Sequence, residues 1–454
     1  MKKMKFSALL SLCMVPAIFW SSESSAIPSW SRKYNVSCYM CHSGFPQRNA
    51  VGEAFQNNGY RFPGVTEEAL TRQKNVRIGT DEWKKEFPNA PATGSFPQFD
   101  ALSMTLGGNL INYTSEQTNA SNGPRDGKIF NWSAPNSVSL FYGGSLGDNF
   151  TFFGQISGFN AVSSGVPTAA QTATLTANQI TSNARLIYRI LPGFNVAMGS
   201  SFSPAGNAAW NGTGSGGVTN VNGLLPAPTN YAELVFVRGE TGGYAIVAGT
   251  SVSGAPGAAA ASTTSNIDDH LYLRGKIKLI GAGLLSGANG DLGNSYNGLD
   301  NQLVLGFGLS SANKNTIFTG NYAGETFVYG GDIQGVYKNA LLGVAASRDR
   351  DLGLTNLRTE AGYFIFPWLF GKVSYSNIAV ASKATNNPVP GKGYDLNQPT
   401  VVPSITAWLA PNISLTSTYT VFTKEWKESA ATSAVVANNL SNQNTFRVAL
   451  SAGF

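Results

Sequence analysis

Cysteine is scarce in this chain, with three in 454 residues. That excludes a disulfide framework. Charge is scarce too. Asp, Glu, Lys and Arg make up 12 % of the residues, about half the share in a soluble domain with a single core. After the N-terminus no apolar run approaches the ~18 residues that a membrane helix requires. No acid/base pair or nucleophile set is visible, and no repeat of fixed period, which leaves little room for a hydrolytic enzyme or a solenoid. What the chain does have is glycine, 51 residues, and phenylalanine, 26 residues, spread along its length.

Lys2, Lys3 and Lys5 precede an apolar run from Phe6 to Trp20, and small residues end at Ser24-Ser25-Ala26. This is the pattern of a secretory signal peptide cleaved after Ala26. Its removal takes three lysines and Glu23, so the formal charge falls from +6 to +4. So small a charge gives no reason to expect nucleic acid as a partner. Cys13 leaves with the signal, and both remaining cysteines lie within five residues, Cys38-Tyr39-Met40-Cys41-His42.

Two cysteines separated by two residues and followed at once by histidine form the attachment spacing of a c-type haem. Two thiols must reach the two vinyl groups on one edge of the porphyrin while the adjacent imidazole turns onto the iron. One covalent haem c is therefore expected on Cys38 and Cys41, with His42 as proximal ligand. The competing readings are a surface disulfide between Cys38 and Cys41, or half of a zinc site, for which the rest of the chain offers one histidine and no cysteine.

From Ile27 to Pro63 the pattern is that of a small haem-wrapping unit. Pro28 opens a short helix with Trp30 and Tyr34 on one face, and Asn49 caps a second with Val51, Ala54 and Phe55 together, ending at Gly59. Those apolar faces read as the haem's packing surface, with packing on each other as the alternative. Fewer than about 40 residues bury too little surface to fold alone, so the unit has to lean on the rest of the protein. A third amphipathic helix is expected from Thr80 to Phe87, followed by a linker punctuated by Pro88, Pro91 and Pro97.

Beyond residue 98 the apolar period becomes two. Leu102, Met104, Leu106 and Leu110 alternate with Ser103, Thr105, Gly107 and Asn109, and segments of this kind recur to a total of sixteen, the last being Thr445 to Phe454. An even number of alternating segments, low charge and high glycine point to an all-β fold, an antiparallel outer-membrane β-barrel of about sixteen strands, rather than a β-sandwich or solenoid. The domains are then 1–26 signal peptide, 27–97 haem segment and linker, and 98–454 barrel. Short links such as Leu191-Pro192-Gly193, Lys338-Asn339 and Pro367-Trp368 alternate with polar loops such as Thr114 to Pro135 and Ala379 to Thr400. With both termini periplasmic, the short links fall on the periplasmic side. Gly281 to Asn301 breaks this rule and marks a missed hairpin or a misplaced strand end.

Ile27-Pro28-Ser29-Trp30-Ser31-Arg32 before the motif, and Phe45-Pro46, Asn49-Ala50, Gly52-Glu53-Ala54-Phe55 and Asn58-Gly59-Tyr60 after it, resemble the fused monohaem cytochrome–porins of the outer membrane, best known as iron oxidases of Fe(II)-oxidising bacteria. The terminal phenylalanine likewise resembles the end of outer-membrane porins. The resemblance implies electron transfer across the outer membrane, from extracellular Fe(II) or another redox donor, through the haem, to a periplasmic cytochrome. Any oxidoreductase activity would consist of electron transfer alone. Two other functions fit the same parts: outward transfer to external oxidants, and a diffusion porin with a haem-bearing plug.

Candidates for the sixth ligand are Met40, Met104, Met198 and His270, besides the new amino group of Ile27 or an open or water-ligated iron. Met40 is inside the motif and cannot reach the far face. Strand parity sends Met104 and Met198 to the lipid and His270, in phase with Tyr272, Arg274, Lys276 and Lys278, to the lumen. The mixed run Arg348-Asp349-Arg350-Asp351 reads as a solvated loop.

Overall fold

Strands with one apolar and one polar face can satisfy every backbone group inside a membrane only by closing on themselves. The computed structural model is such a closed barrel. It describes residues 30, 34, 36, 40–44, 47–64, 76–77, 95–96, 102–114, 117–119, 123–125, 129–146, 149–158 and 181–200. From there it describes 230–252, 270–290, 299–312, 326–350, 354–380, 399–410, 412–423 and 444–453. The signal peptide, Cys38, the expected helix Thr80–Phe87 and the terminal Phe454 lie outside the described residues.

The first eight barrel strands are β1 Leu102–Thr114, β2 Ile129–Leu146, β3 Phe150–Gly158, β4 Thr181–Leu191, β5 Phe194–Ser200, β6 Asn230–Arg238, β7 Thr241–Val252 and β8 His270–Ala282. The other eight are β9 Gln302–Ala312, β10 Thr326–Tyr337, β11 Ala340–Asp349, β12 Leu354–Phe366, β13 Leu369–Val380, β14 Thr400–Ala410, β15 Ile413–Phe422 and β16 Thr445–Gly453. Neighbours in sequence pair antiparallel, and β16 closes on β1 with Thr445 opposite Thr114. Each of the sixteen segments read from the sequence is one of these strands. The stretch Thr114 to Pro135, expected as a loop, instead holds the small pair Gln117–Asn119 with Gly123–Arg125 and the start of β2.

The two faces differ as alternation demands. On β8, Leu271, Ile277 and Leu279 are exposed outward while Tyr272, Arg274, Lys276 and Lys278 are buried inward. Met198 is exposed on the outer face, and Met104 is paired with exposed Leu140, so both methionines stand on the outward side as parity requires. Near the short turns the outer face carries exposed Phe150, Tyr188, Tyr244, Tyr337, Tyr363, Phe366 and Trp368. An apolar outer wall bordered by aromatic rings fits hydrocarbon and its boundary with water.

Among its described residues the long connection on the short-turn end forms no strand. Where it is described, the link between β8 and β9 folds inward. Leu284 N–H donates to Gly242 O at 2.9 Å and Leu285 N–H to Gly239 O at 3.1 Å. Leu284 is fully buried among Tyr231, Val235, Val237, Ala245, Val247 and Tyr272. At its other end Leu299 joins a second apolar group, Val336, Leu341, Phe364, Phe370 and Trp408. One connection thus ties together two apolar clusters inside the same end of the barrel.

Candidate functional site

The motif leads into a tight hairpin, His42–Gly44 against Gln47–Arg48, with His42 opposite Arg48. Asn49 N–H closes the turn by donating to Cys41 O at 3.0 Å. The Asn49 side chain then accepts from Gly52 N–H at 3.0 Å and caps the helix α1, Ala50–Asn57, as its position in the sequence anticipates. Gly52 is required here. A Cβ at this position would lie 2.0 Å from the carbonyl oxygen of Cys41, so only glycine lets the helix rest on the motif's backbone.

Helix α1 has no exposed side. Ala50, Gly52, Glu53, Ala54, Phe55 and Asn57 are all buried, the pattern of a helix enclosed within a structure. Trp30 and Tyr34 are helical and stacked, with ring centres 6.3 Å apart, and each meets Phe55 edge-on at 5.6 and 5.9 Å. Tyr60 stacks on Trp30 at 5.9 Å and on Phe153 of β3 at 6.0 Å. These rings pack on one another and on the barrel wall.

Polar bonds fix the same unit to the wall. Asn57 Nδ2 donates to Leu284 O at 2.8 Å, Asn195 Nδ2 of β5 donates to Asn57 O at 3.0 Å, and an Arg61 Nη donates to Phe150 O at 2.8 Å. Leu284, Asn195 and Phe150 all lie at or beside the short-turn end. The N-terminal unit is therefore a plug seated in that end of the lumen.

The strongest attachment is electrostatic. Glu53 Oε1 accepts from Lys276 Nζ, and its Oε2 lies 3.3 Å from Lys278 Nζ. Lys278 also reaches Asp300 at 3.4 Å, on the inward connection. Lys276 and Lys278 are 1 and 2 % exposed, so Glu53 and Asp300 together are what neutralise them. Burial alone would raise the Glu53 carboxyl. The Lys276 and Lys278 charges, the Lys276 hydrogen bond and Arg48 outweigh it and hold the group at about 2.

Further along the wall Arg274 pairs with Asp332, whose other oxygen accepts from Gln334 Nε2 at 2.7 Å. Gly306 leaves the room, since a Cβ there would lie 2.4 Å from Asp332 Oδ2. Arg185 pairs with Glu233, which also accepts from Tyr272 Oη at 3.1 Å. Sequence reading placed the row Arg274, Lys276 and Lys278 in the lumen and missed its acidic partners. The signal was there: three alternating cations on one inward face and a single acid, Glu53, on a short apolar helix.

The described residues fit a c-type haem in the chemistry of their donors. Cys41 is half-buried, and the His42 imidazole follows directly. Cys38 lies outside the described residues. Met40 is exposed. His270 opens β8 opposite Ser251 and Ala312, and its side chain lies outside the described residues. Six residues of strand, roughly 20 Å, separate its backbone from that of Lys276. Of the mixed run, Arg348 and Arg350 are exposed, Asp349 is buried and Asp351 lies outside the described residues.

No family model and no characterised protein matches this sequence. Among solved structures the chain is similar to the outer-membrane channel DcaP of Acinetobacter baumannii, at 11 % identity and a TM-score of 0.44, covering 78 % of this chain and 96 % of that one. It is similar to OmpF of Salmonella typhi, solved with daunomycin, at 11 % identity and a TM-score of 0.47, covering 78 and 97 %. The anion-selective porin of Comamonas acidovorans is similar at 12 % identity and a TM-score of 0.43, covering 78 and 98 %.

Proposed function

We propose that this protein carries one c-type haem on Cys38, Cys41 and His42 and passes single electrons across the outer membrane, from extracellular Fe(II) to a periplasmic cytochrome. The observation that carries the reading is the position of the attachment motif, next to a plug helix locked inside a membrane barrel by Glu53, Lys276 and Lys278. Bound haem would supply the one-electron couple. The chain's own part is to hold that couple at a fixed depth. Asn49 and Gly52 dock the motif on α1, the Trp30, Tyr34, Phe55 and Tyr60 rings exclude water beside it, and the buried ion pairs fix α1 to the wall. Each Fe(II) gives up one electron and leaves as Fe(III), and the periplasmic acceptor takes that electron, so no proton or group transfer is required.

His270 stands apart from this arrangement, with its backbone about 20 Å along the strand from the plug's anchor. The reading therefore puts the second axial ligand on another group, such as the amino group of Ile27.

A diffusion porin is the second reading. It is favoured by the lumen wall of β13 to β16, where hydroxyl side chains and the exposed Arg447 face inward. The plugged wall around Lys276, Val247 and Leu284, all at most 1 % exposed, speaks against a wide passage there.

The test is to mix purified, haem-loaded protein with Fe(II) at neutral pH and follow the haem bands, alongside Cys38→Ala and His270→Ala. Reduction within a catalytic timescale, lost in Cys38→Ala and with an unchanged low-spin spectrum in His270→Ala, is expected. A haem that stays oxidised, in a barrel with porin-like conductance in planar bilayers, would establish the second reading instead.

A further inference from the structure

The residue opposite His42 is an arginine. In the two-stranded hairpin His42 and Arg48 are direct cross-strand partners, so their side chains leave the same face with Cβ atoms roughly 5 Å apart. The hairpin cannot splay easily, because its base is closed by the Asn49 to Cys41 hydrogen bond of 3.0 Å and the same Asn49 caps the helix α1.

Arg48 is partly buried, and its Nε makes no hydrogen bond among the described residues. It directly precedes Asn49 and the helix that carries Glu53, five residues further on. At that anchor Lys276 and Lys278 pair with two carboxylates, Glu53 and Asp300. Two cations against two anions balance there, so the Arg48 charge is not consumed by the anchor.

We propose that Arg48 is a positioning residue for charge, raising the reduction potential of a haem held by His42. The inference rests on the haem reading above. Reduction takes one positive charge off the iron, so a fixed cation nearby favours the reduced form and makes the centre a better acceptor from an external donor. Arginine suits the role because it stays protonated when buried, where a lysine is more easily discharged. The neighbouring charges explain why Arg48 does not simply cancel: Glu53 is already taken by Lys276 and Lys278.

Equilibrium redox titration of the purified, haem-loaded protein tests this. Arg48→Gln should hold its electron about tenfold less well than wild type at equal ambient potential, a shift of about 59 mV to more negative values for a one-electron couple. Arg48→Lys should stay close to wild type. An unchanged potential in Arg48→Gln, or an equal shift in Arg48→Lys, overturns the proposal. If Arg48→Gln fails to keep its haem, Lys276→Gln removes a cation from the same cluster, and it must shift the potential in the same direction or the proposal falls. A wild-type protein with no covalent haem, measured by pyridine haemochrome, defeats the parent reading instead, so the two failures are distinguishable.

Discussion

Two walls of one lumen are built from the same alternating strands, yet they are lined differently. Where the plug docks, on β4 to β10, the inward side chains include Arg185, Glu233, Arg274, Lys276, Lys278 and Asp332, each at most 5 % exposed. On β13 to β16 the lining is hydroxyl-rich. Ser376 and Thr400 hydroxyls lie 2.6 Å apart and those of Thr406 and Thr416 3.1 Å apart, with most of these residues only part-buried. A buried charge has to find a partner, because desolvating it alone costs several kcal/mol, whereas a hydroxyl in a wet lumen can turn to its neighbour or to water. The lining therefore records where the chain's own N-terminus fills the barrel.

The contrast breaks most easily at Glu53. Replacing Glu53 by Gln leaves Lys276 and Lys278 with one fewer anion in a dry place, and plug docking should weaken by about 3–5 kcal/mol, the usual cost of removing one partner of a buried pair. Hydrogen exchange of the α1 amides would show it as a large loss of protection, while the strand amides stay slow.

Protonation reaches the same end by another route. The Glu53 carboxyl is held at about 2 in the folded protein against about 4.3 for an ordinary glutamate. Its contribution is therefore complete above the unfolded value and is lost as pH falls towards 2. Protection of α1 should be equal at pH 7 and pH 5 and decline only in stronger acid. A decline already complete at pH 5 would show that Glu53 is not held by the two lysines.

Gly52→Ala is expected to do less. Its Cβ would meet the Cys41 carbonyl at 2.0 Å, forcing the helix and the motif apart at a cost of about 1–3 kcal/mol. Limited proteolysis near residue 50 would report it. The smallest effect belongs to the hydroxyl wall. Thr416→Val removes one wet hydroxyl contact and should change stability by only about 0.5 kcal/mol, within the error of denaturant unfolding. A large effect there would mean that the second wall is packed as tightly as the first.

Much of this was legible in the order of residues. Period-two alternation from Leu102 onward specified sixteen strands, their inward and outward faces and the alternation of short with long connections, because strand sterics and the lack of water in hydrocarbon leave few alternatives. Asn49 specified the start of α1. The connection between β8 and β9 stood out by its length, but length alone could not say that Leu284 and Leu299 would turn inward. What only the tertiary structure decided is long-range pairing: Glu53 with Lys276 and Lys278, Asn57 with Leu284, and the mutual packing of Trp30, Tyr34 and Phe55. Local rules fix a residue's face and backbone, but a partner 223 positions away is chosen by the closed shape of the barrel and by the cost of leaving a charge unpaired inside it.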